Sequence, residues 1–160
     1  MLTLFSCKQQ KSEITVLQNH IDSLEAQLAE IYKPGFGQLM NTIQLHHSKL
    51  WFAGKNKNWK LAKFEIHELE ETIEAILKYQ PERNESQQIH MVLPDLNSLN
   101  SAIKQKNSTL FKQNYSQLTT TCNNCHRLVD HAYIVAKIPD ISPYSNQDFK
   151  VANIDSSVSE

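Results

Sequence analysis

The sequence predicts an all-α protein: a four-helix bundle preceded by one additional N-terminal helix. Three observations predict it. Only 3 Gly and 5 Pro occur in 160 residues, against abundant Leu, Ile, Lys, Glu and Gln. Apolar residues recur at steps of three and four in successive stretches, the spacing that places them on one helical face. The breaks between stretches fall at Pro, Gly and Asn clusters, which stop or cap helices. The implied organisation is an N-terminal spacer over 1–11, a helix over 12–33, a bundle over 34–138 and an irregular tail over 139–160.

Met1-Leu2-Thr3-Leu4-Phe5-Ser6-Cys7 ends like a bacterial lipobox, with Leu three before the cysteine and a small residue just before it. The apolar stretch is shorter than a signal-peptide core and no basic residue precedes it, so the reading is a secretory signal that lacks its beginning. Cys7 is then the expected lipid anchor. Next come Ile14, Leu17, Ile21, Leu24, Leu28 and Ile31. This is an a/d seam of nearly three heptads, and Ile-then-Leu alternation favours two parallel strands. The segment is either a short coiled-coil stalk, making a homodimer through Ile14, Leu17, Ile21, Leu24 and Leu28, or a helix packed back on its own domain. Pro34-Gly35 ends it.

The first bundle helix is expected from Phe36 to Ala53, stopping at Gly54, with Phe36, Met40, Ile43, His47 and Leu50 facing inward. Lys55 to Asn58 is a polar turn. Trp59, Ala62, Ile66, Leu69, Ile73 and Ile76 then form a stripe up to Tyr79, while Lys60, Lys63, Glu68, Glu71 and Glu74 form its solvated face. Pro81 to Ser86 reads as a linker. Ile89, Leu93, Leu96, Leu99 and Ile103 keep helical spacing, but Pro94 interrupts them, which puts the regular part of this helix from Asp95. Asn107 or Ser108 caps the last helix, whose face is Phe111, Tyr115, Leu118, Cys122, Cys125, Val129 and Ala132. Pro139 and Pro143 preclude further helix. Tyr144 and Phe149 are placed to pack on the bundle, and Asn153 to Glu160 has the composition of a disordered tail.

The chemistry lies in Cys122-Asn123-Asn124-Cys125-His126. Cys-x-x-Cys-His is the attachment pattern of covalent c-type haem. On a helix the two thiols and His126 share a face, so both sulfurs can close thioethers to a porphyrin while His126 serves as axial ligand. Roughly 0.002 such pentads are expected by chance in a chain with this many Cys and His. A thioredoxin-like pair would sit beside a βαβ pattern, and zinc would want a second Cys/His pair; neither is visible. Met40 and His47 can each bind iron, but they stand seven residues apart, ~10.5 Å along one helix. One rigid helix cannot offer both to one iron.

A net charge of −1 gives no electrostatic ground for nucleic acid or an acidic membrane as partner. No apolar run reaches the ~20 residues of a membrane span. No Gly-rich phosphate loop or Ser elbow indicates an enzyme; weak peroxidase-like activity belongs to any open haem site.

Residues 35 to 134 resemble, by architecture and by the pentad, the class II c-type cytochromes, the cytochrome c′ group. Lys49-Leu50-Trp51-Phe52-Ala53-Gly54, Asn58-Trp59, Leu118-Thr119 and Asn146-Gln147-Asp148-Phe149 also look like a group of uncharacterised bacterial haem-motif proteins, which implies no reaction. The cytochrome resemblance implies one haem c on the last helix, faced by the first bundle helix. Its low-spin branch takes a Met from that helix as sixth ligand and transfers electrons, which assigns the role to Met40, with His47 as the alternative ligand. Its high-spin branch leaves that position open and binds gases such as nitric oxide. Phe111, Tyr115 and Leu118, with Gln44, His47 and Trp51, are the expected haem-pocket residues. The expectation is a periplasmic or outer-membrane-attached electron carrier with an unidentified redox partner, or else a gas sensor or scavenger.

Overall fold

The computed structural model describes residues 4–31 and 33–151, without the side chains of residues 4–12, 29 and 30. The Cys7 side chain and the tail from Asn153 to Glu160 lie outside the described residues. All regular structure within them is helical, and no helix among them is long and apolar enough to cross a membrane. The chain forms two compact units, residues 1–35 and 36–160.

The first unit is helix α1 (Leu4–Ile31). Its Ile/Leu stripe is exposed along its length, from 48% at Ile21 to 82% at Ile31. Gln18 donates to Asp22 and Gln27 to Ser23, one turn apart on the polar surface.

The second unit holds α2 (Phe36–Lys55), α3 (Trp59–Tyr79), the short α4 (Asn84–Gln88), a 3-10 turn (Ile89–Val92), α5 (Leu93–Lys104) and α6 (Ser108–Leu128). Helix α2 packs most extensively on α3, and α5 on α6; thinner α3–α5 and α2–α6 seams join the two pairs. The core between them is apolar, with Leu50, Ala53, Ala62, Ile66, Ile76, Leu99 and Phe111 almost wholly shielded.

Both pairs turn by the same device. After α2, Lys57 takes a left-handed conformation (φ 58°); its N–H donates to Gly54 O (3.0 Å), and that of Asn58 donates to Ala53 O (2.9 Å). After α5, Lys106 (φ 53°) and Asn107 repeat the arrangement onto Ile103 O and Ala102 O. This double bond satisfies the last helical carbonyls. Each asparagine then caps the next helix: Asn58 Oδ1 accepts from Leu61 N–H, and Asn107 Oδ1 from those of Thr109 and Leu110. A lysine in the left-handed region carries a strain of about 1 kcal/mol that glycine lacks. Lys57 is exposed, so Lys57→Gly should raise stability by about 0.5 kcal/mol, read as a higher urea midpoint at unchanged slope.

Four expectations are corrected here. Helix α2 continues through Gly54 to Lys55, because Gly54 lies against a neighbouring ring and is not a terminator. The 81–86 linker closes early, with α4 starting at Asn84. Pro94 sits in the first turn of α5, where its missing N–H costs no helical bond, so the helix starts at Leu93 rather than Asp95. Helix α6 stops at Leu128, leaving Ala132 exposed instead of on the buried face.

One buried polar pair breaks the apolar stripes. His46 Nδ1–H donates to Glu65 Oε2 at 2.7 Å, linking α2 to α3, and Glu65 is 1% exposed. After α6 the chain runs back without regular structure. Phe149 packs beside Phe52 and Tyr144, the Tyr144 hydroxyl donates to Leu45 O, and Asn58 Nδ2 donates to Lys150 O.

Candidate functional site

Between the two helix pairs lies a cavity of about 100 Å³ that opens in part to solvent. One wall is α6 and its continuation: Leu118, Cys122, Cys125, His126, Val129, His131 and Ile134. Helix α2 supplies Phe36, Met40, Ile43 and His47, and α3 supplies Leu69 and Ile73. Glu85, Ile89, Val92 and Leu96 complete it. The lining is overwhelmingly apolar, so a polar ligand would lose its hydration there without replacement.

The pentad residues reach this wall through helical spacing. Positions 122, 125 and 126 share a face, and α6 turns that face to the cavity. No disulfide joins Cys122 and Cys125. Burial first, then the neighbouring Cys125 and Asp95, push the Cys122 thiol up to about 12, and burial likewise raises Cys125. Reactive redox cysteines show the opposite, a thiol lowered toward neutrality. The pair is therefore poor as a dithiol redox couple. Among the described residues no three His, Cys, Asp or Glu side chains converge to hold a bare metal ion.

His126 is held by one ring nitrogen. Its Nδ1 lies 2.8 Å from the carbonyl oxygen of Ile134. A carbonyl only accepts, so this nitrogen carries the proton, and the lone pair of neutral His126 resides on Nε2, which has no partner among the described residues. Metal-binding histidines are commonly oriented this way.

His47 is engaged at both nitrogens. Nε2 lies 3.0 Å from Thr119 Oγ1, and Nδ1 lies 3.0 Å from the Tyr115 hydroxyl, which also donates to His47 O (2.7 Å). Thr119 donates its own hydroxyl proton to Tyr115 O (2.9 Å), so His47 Nε2–H donates to Thr119, and the single Tyr115 hydroxyl proton is shared between His47 O and the Nδ1 lone pair. Burial holds the imidazole down at about 4, hence neutral near pH 7. Both ring nitrogens are thus used within the protein, whereas Met40, on the same wall, has a thioether with no such demand.

Of the other residues expected around the site, Leu118 lines the cavity and Phe111, Tyr115, Trp51 and Gln44 do not. Gln44 is exposed. Tyr115 and Phe111 stand two and three turns before Cys122, ~10 and ~16 Å away along the helix. There they are fully buried and pack with Trp51 and Trp59 in an aromatic cluster. Sequence reasoning missed Glu85, His131 and Ile134. Glu85 bonds Arg83 through both carboxylate oxygens (2.7 and 3.3 Å), which lowers its carboxyl, and faces His131 at 3.9 Å. Composition gave no signal for them, because they come from a short helix and a loop.

The residues fit a c-type haem: two thiols and a histidine on one wall, a free Nε2, a thioether sulfur on another wall and an apolar interior. Comparisons with protein-family models, curated proteins and solved structures found no match.

Proposed function

We propose that the chain is a monohaem c-type cytochrome of the four-helix-bundle, class II kind, acting as an electron carrier outside the cytoplasm. Haem c would be joined through thioethers to Cys122 and Cys125, with His126 as one axial ligand and Met40 as the other. The observation that carries the reading is the placement of all three pentad side chains on one wall of an apolar cavity that Met40 also lines. When bound, the haem supplies a reversible one-electron change at its iron. The protein's part is to hold and shield. Cys122 and Cys125 anchor, the Ile134 carbonyl fixes the His126 tautomer, and Ile43, Leu69, Ile73, Ile89, Val92 and Leu96 exclude water. A Met/His ligand pair raises the potential and closes the iron to exogenous ligands. His47, with both nitrogens occupied, serves as wall and structural tie.

Cys7 would carry a lipid and α1 would act as a stalk, its exposed Ile/Leu seam pairing two copies in parallel. Light scattering of the purified chain should then give twice the monomer mass, and Leu17→Lys with Leu24→Lys should return it to one.

The function is tested by expression with c-type maturation machinery. A haem stain should survive on a denaturing gel and vanish when Cys122 and Cys125 are both replaced by Ser. The ferric spectrum should be low-spin, and Met40→Ala should convert it to high-spin. A blank gel overturns the haem reading. A wild-type spectrum that is already high-spin and responds to nitric oxide replaces the carrier with a gas-binding protein.

A further inference from the structure

The residue after Cys122 makes a pair of bonds that the pentad pattern does not require. Asn123 Nδ2–H donates to Ala136 O (2.9 Å), and Ala136 N–H donates to Asn123 Oδ1 (2.8 Å). The side-chain amide thus offers a donor and an acceptor side by side, as a neighbouring strand would. Position 123 is about 100° round the helix from 122, so it can hold the returning chain while Cys122 faces the cavity.

That returning chain carries the His126 partner. Asp130 adopts a left-handed conformation (φ 61°), and His131 N–H donates back to His126 O at 2.7 Å. A further turn, Ile134 N–H to His131 O at 2.8 Å, brings the Ile134 carbonyl onto His126 Nδ1. The strap formed by residues 131–136 is therefore tied at its start by the end of α6 and at its finish by Asn123. Burial contributes little to holding it: Tyr133 is 79% exposed and Val135 73%. A segment with so little buried apolar area opens locally unless hydrogen bonds fix it.

We propose that Asn123 is the positioning residue for His126, clamping the strap so that the Ile134 carbonyl keeps the proton on Nδ1 and leaves Nε2 for the iron. The consequence for iron rests on the haem reading above; the clamp itself is a property of the polypeptide. A ligating imidazole that donates its second N–H to a carbonyl is a stronger donor to its metal, so the clamp also biases the iron toward its oxidised state.

The test is made on the full-length, 15N-labelled chain without haem, at a pH where the His126 ring is neutral. The wild type should show His126 as the Nδ1–H tautomer alone. Asn123→Ala should populate both tautomers and speed exchange of the Ala136 amide at least tenfold. Asn124→Ala, whose side chain bonds only Arg127 among the described residues, should change neither. Ala136→Pro removes the amide donor from the other end without touching the pentad, and should mix the tautomers as well. In haem-loaded protein, Asn123→Ala should shift the reduction potential to a more positive value. Either clamp variant, folded by circular dichroism and still showing the wild-type tautomer, overturns the proposal. A blank haem stain beside the expected tautomer change would sink the haem reading and leave the clamp standing.

Discussion

Replacing Gly54 by alanine should destabilise the protein by about 3 kcal/mol, at the upper end of the penalty for overfilling a packed core. A Cβ at this position would overlap the Phe111 ring at three of its carbon atoms. The ring cannot step aside: Phe111 is completely buried, with Trp51, Trp59 and Tyr115 around it. Nor can the backbone, since Gly54 O and Ala53 O accept the two bonds that close the α2–α3 turn. The expected reading is a thermal midpoint lower by roughly 10 °C. Trimming the ring at the same time, as Gly54→Ala with Phe111→Leu, should recover part of the loss. A midpoint unchanged by Gly54→Ala would mean that the α2–α6 contact is looser than described.

Acidification should weaken the fold through His47. Its folded value of about 4 lies below the ordinary 6.5 because burial disfavours the charged ring. Above pH 6.5 the imidazole is neutral whether the chain is folded or not, and this contribution is complete. Between pH 6.5 and about 4 the unfolded chain takes up a proton that the folded one refuses. Stability therefore falls with decreasing pH, by at most about 1.4 kcal/mol per unit and by about 3 kcal/mol in all. Denaturant midpoints measured across this range should show the decline. In His47→Phe the decline should lessen by one proton's worth. That variant strands no donor, because Tyr115 can still donate to the backbone oxygen at position 47 and Thr119 to Tyr115 O.

The helices were legible because periodicity and punctuation agreed. The stripe through Trp59, Ala62, Ile66 and Leu69 appears in the fold as read, and of the two caps offered for the last helix Asn107 is the one used; Asn58, read only as part of a polar turn, caps α3 as well. Pro94 misled because a proline that interrupts an apolar pattern looks the same in sequence whether it breaks a helix or starts one. The aromatic residues Phe111 and Tyr115 misled for a different reason. A stripe along α6 marks what faces inward, but says nothing about which end of the interior is filled and which is hollow. Glu65 could have been found: it stands three after Ala62 and four before Leu69, an acidic residue at inward spacing, and His46 is the partner that such a burial needs. The strap could not, since its position depends on a side-chain amide meeting a loop 13 residues away.

The unequal packing of the four long helices of the second unit bears on how anything bulky and flat could enter. Each pair shares the larger of the interfaces and is locked by a turn whose bonds span five residues or fewer, so each forms and persists on local contacts. The walls of the hollow, by contrast, meet only along the thinner seams, from residues as far apart in the chain as Phe36 and Ile134. Parting the two halves at the hollow alone, with the aromatic cluster around Phe111 and Tyr115 kept as the hinge, therefore sacrifices less than unravelling either. Amide exchange should show it, with α2–α3 and α5–α6 protected internally while positions bordering the hollow open sooner.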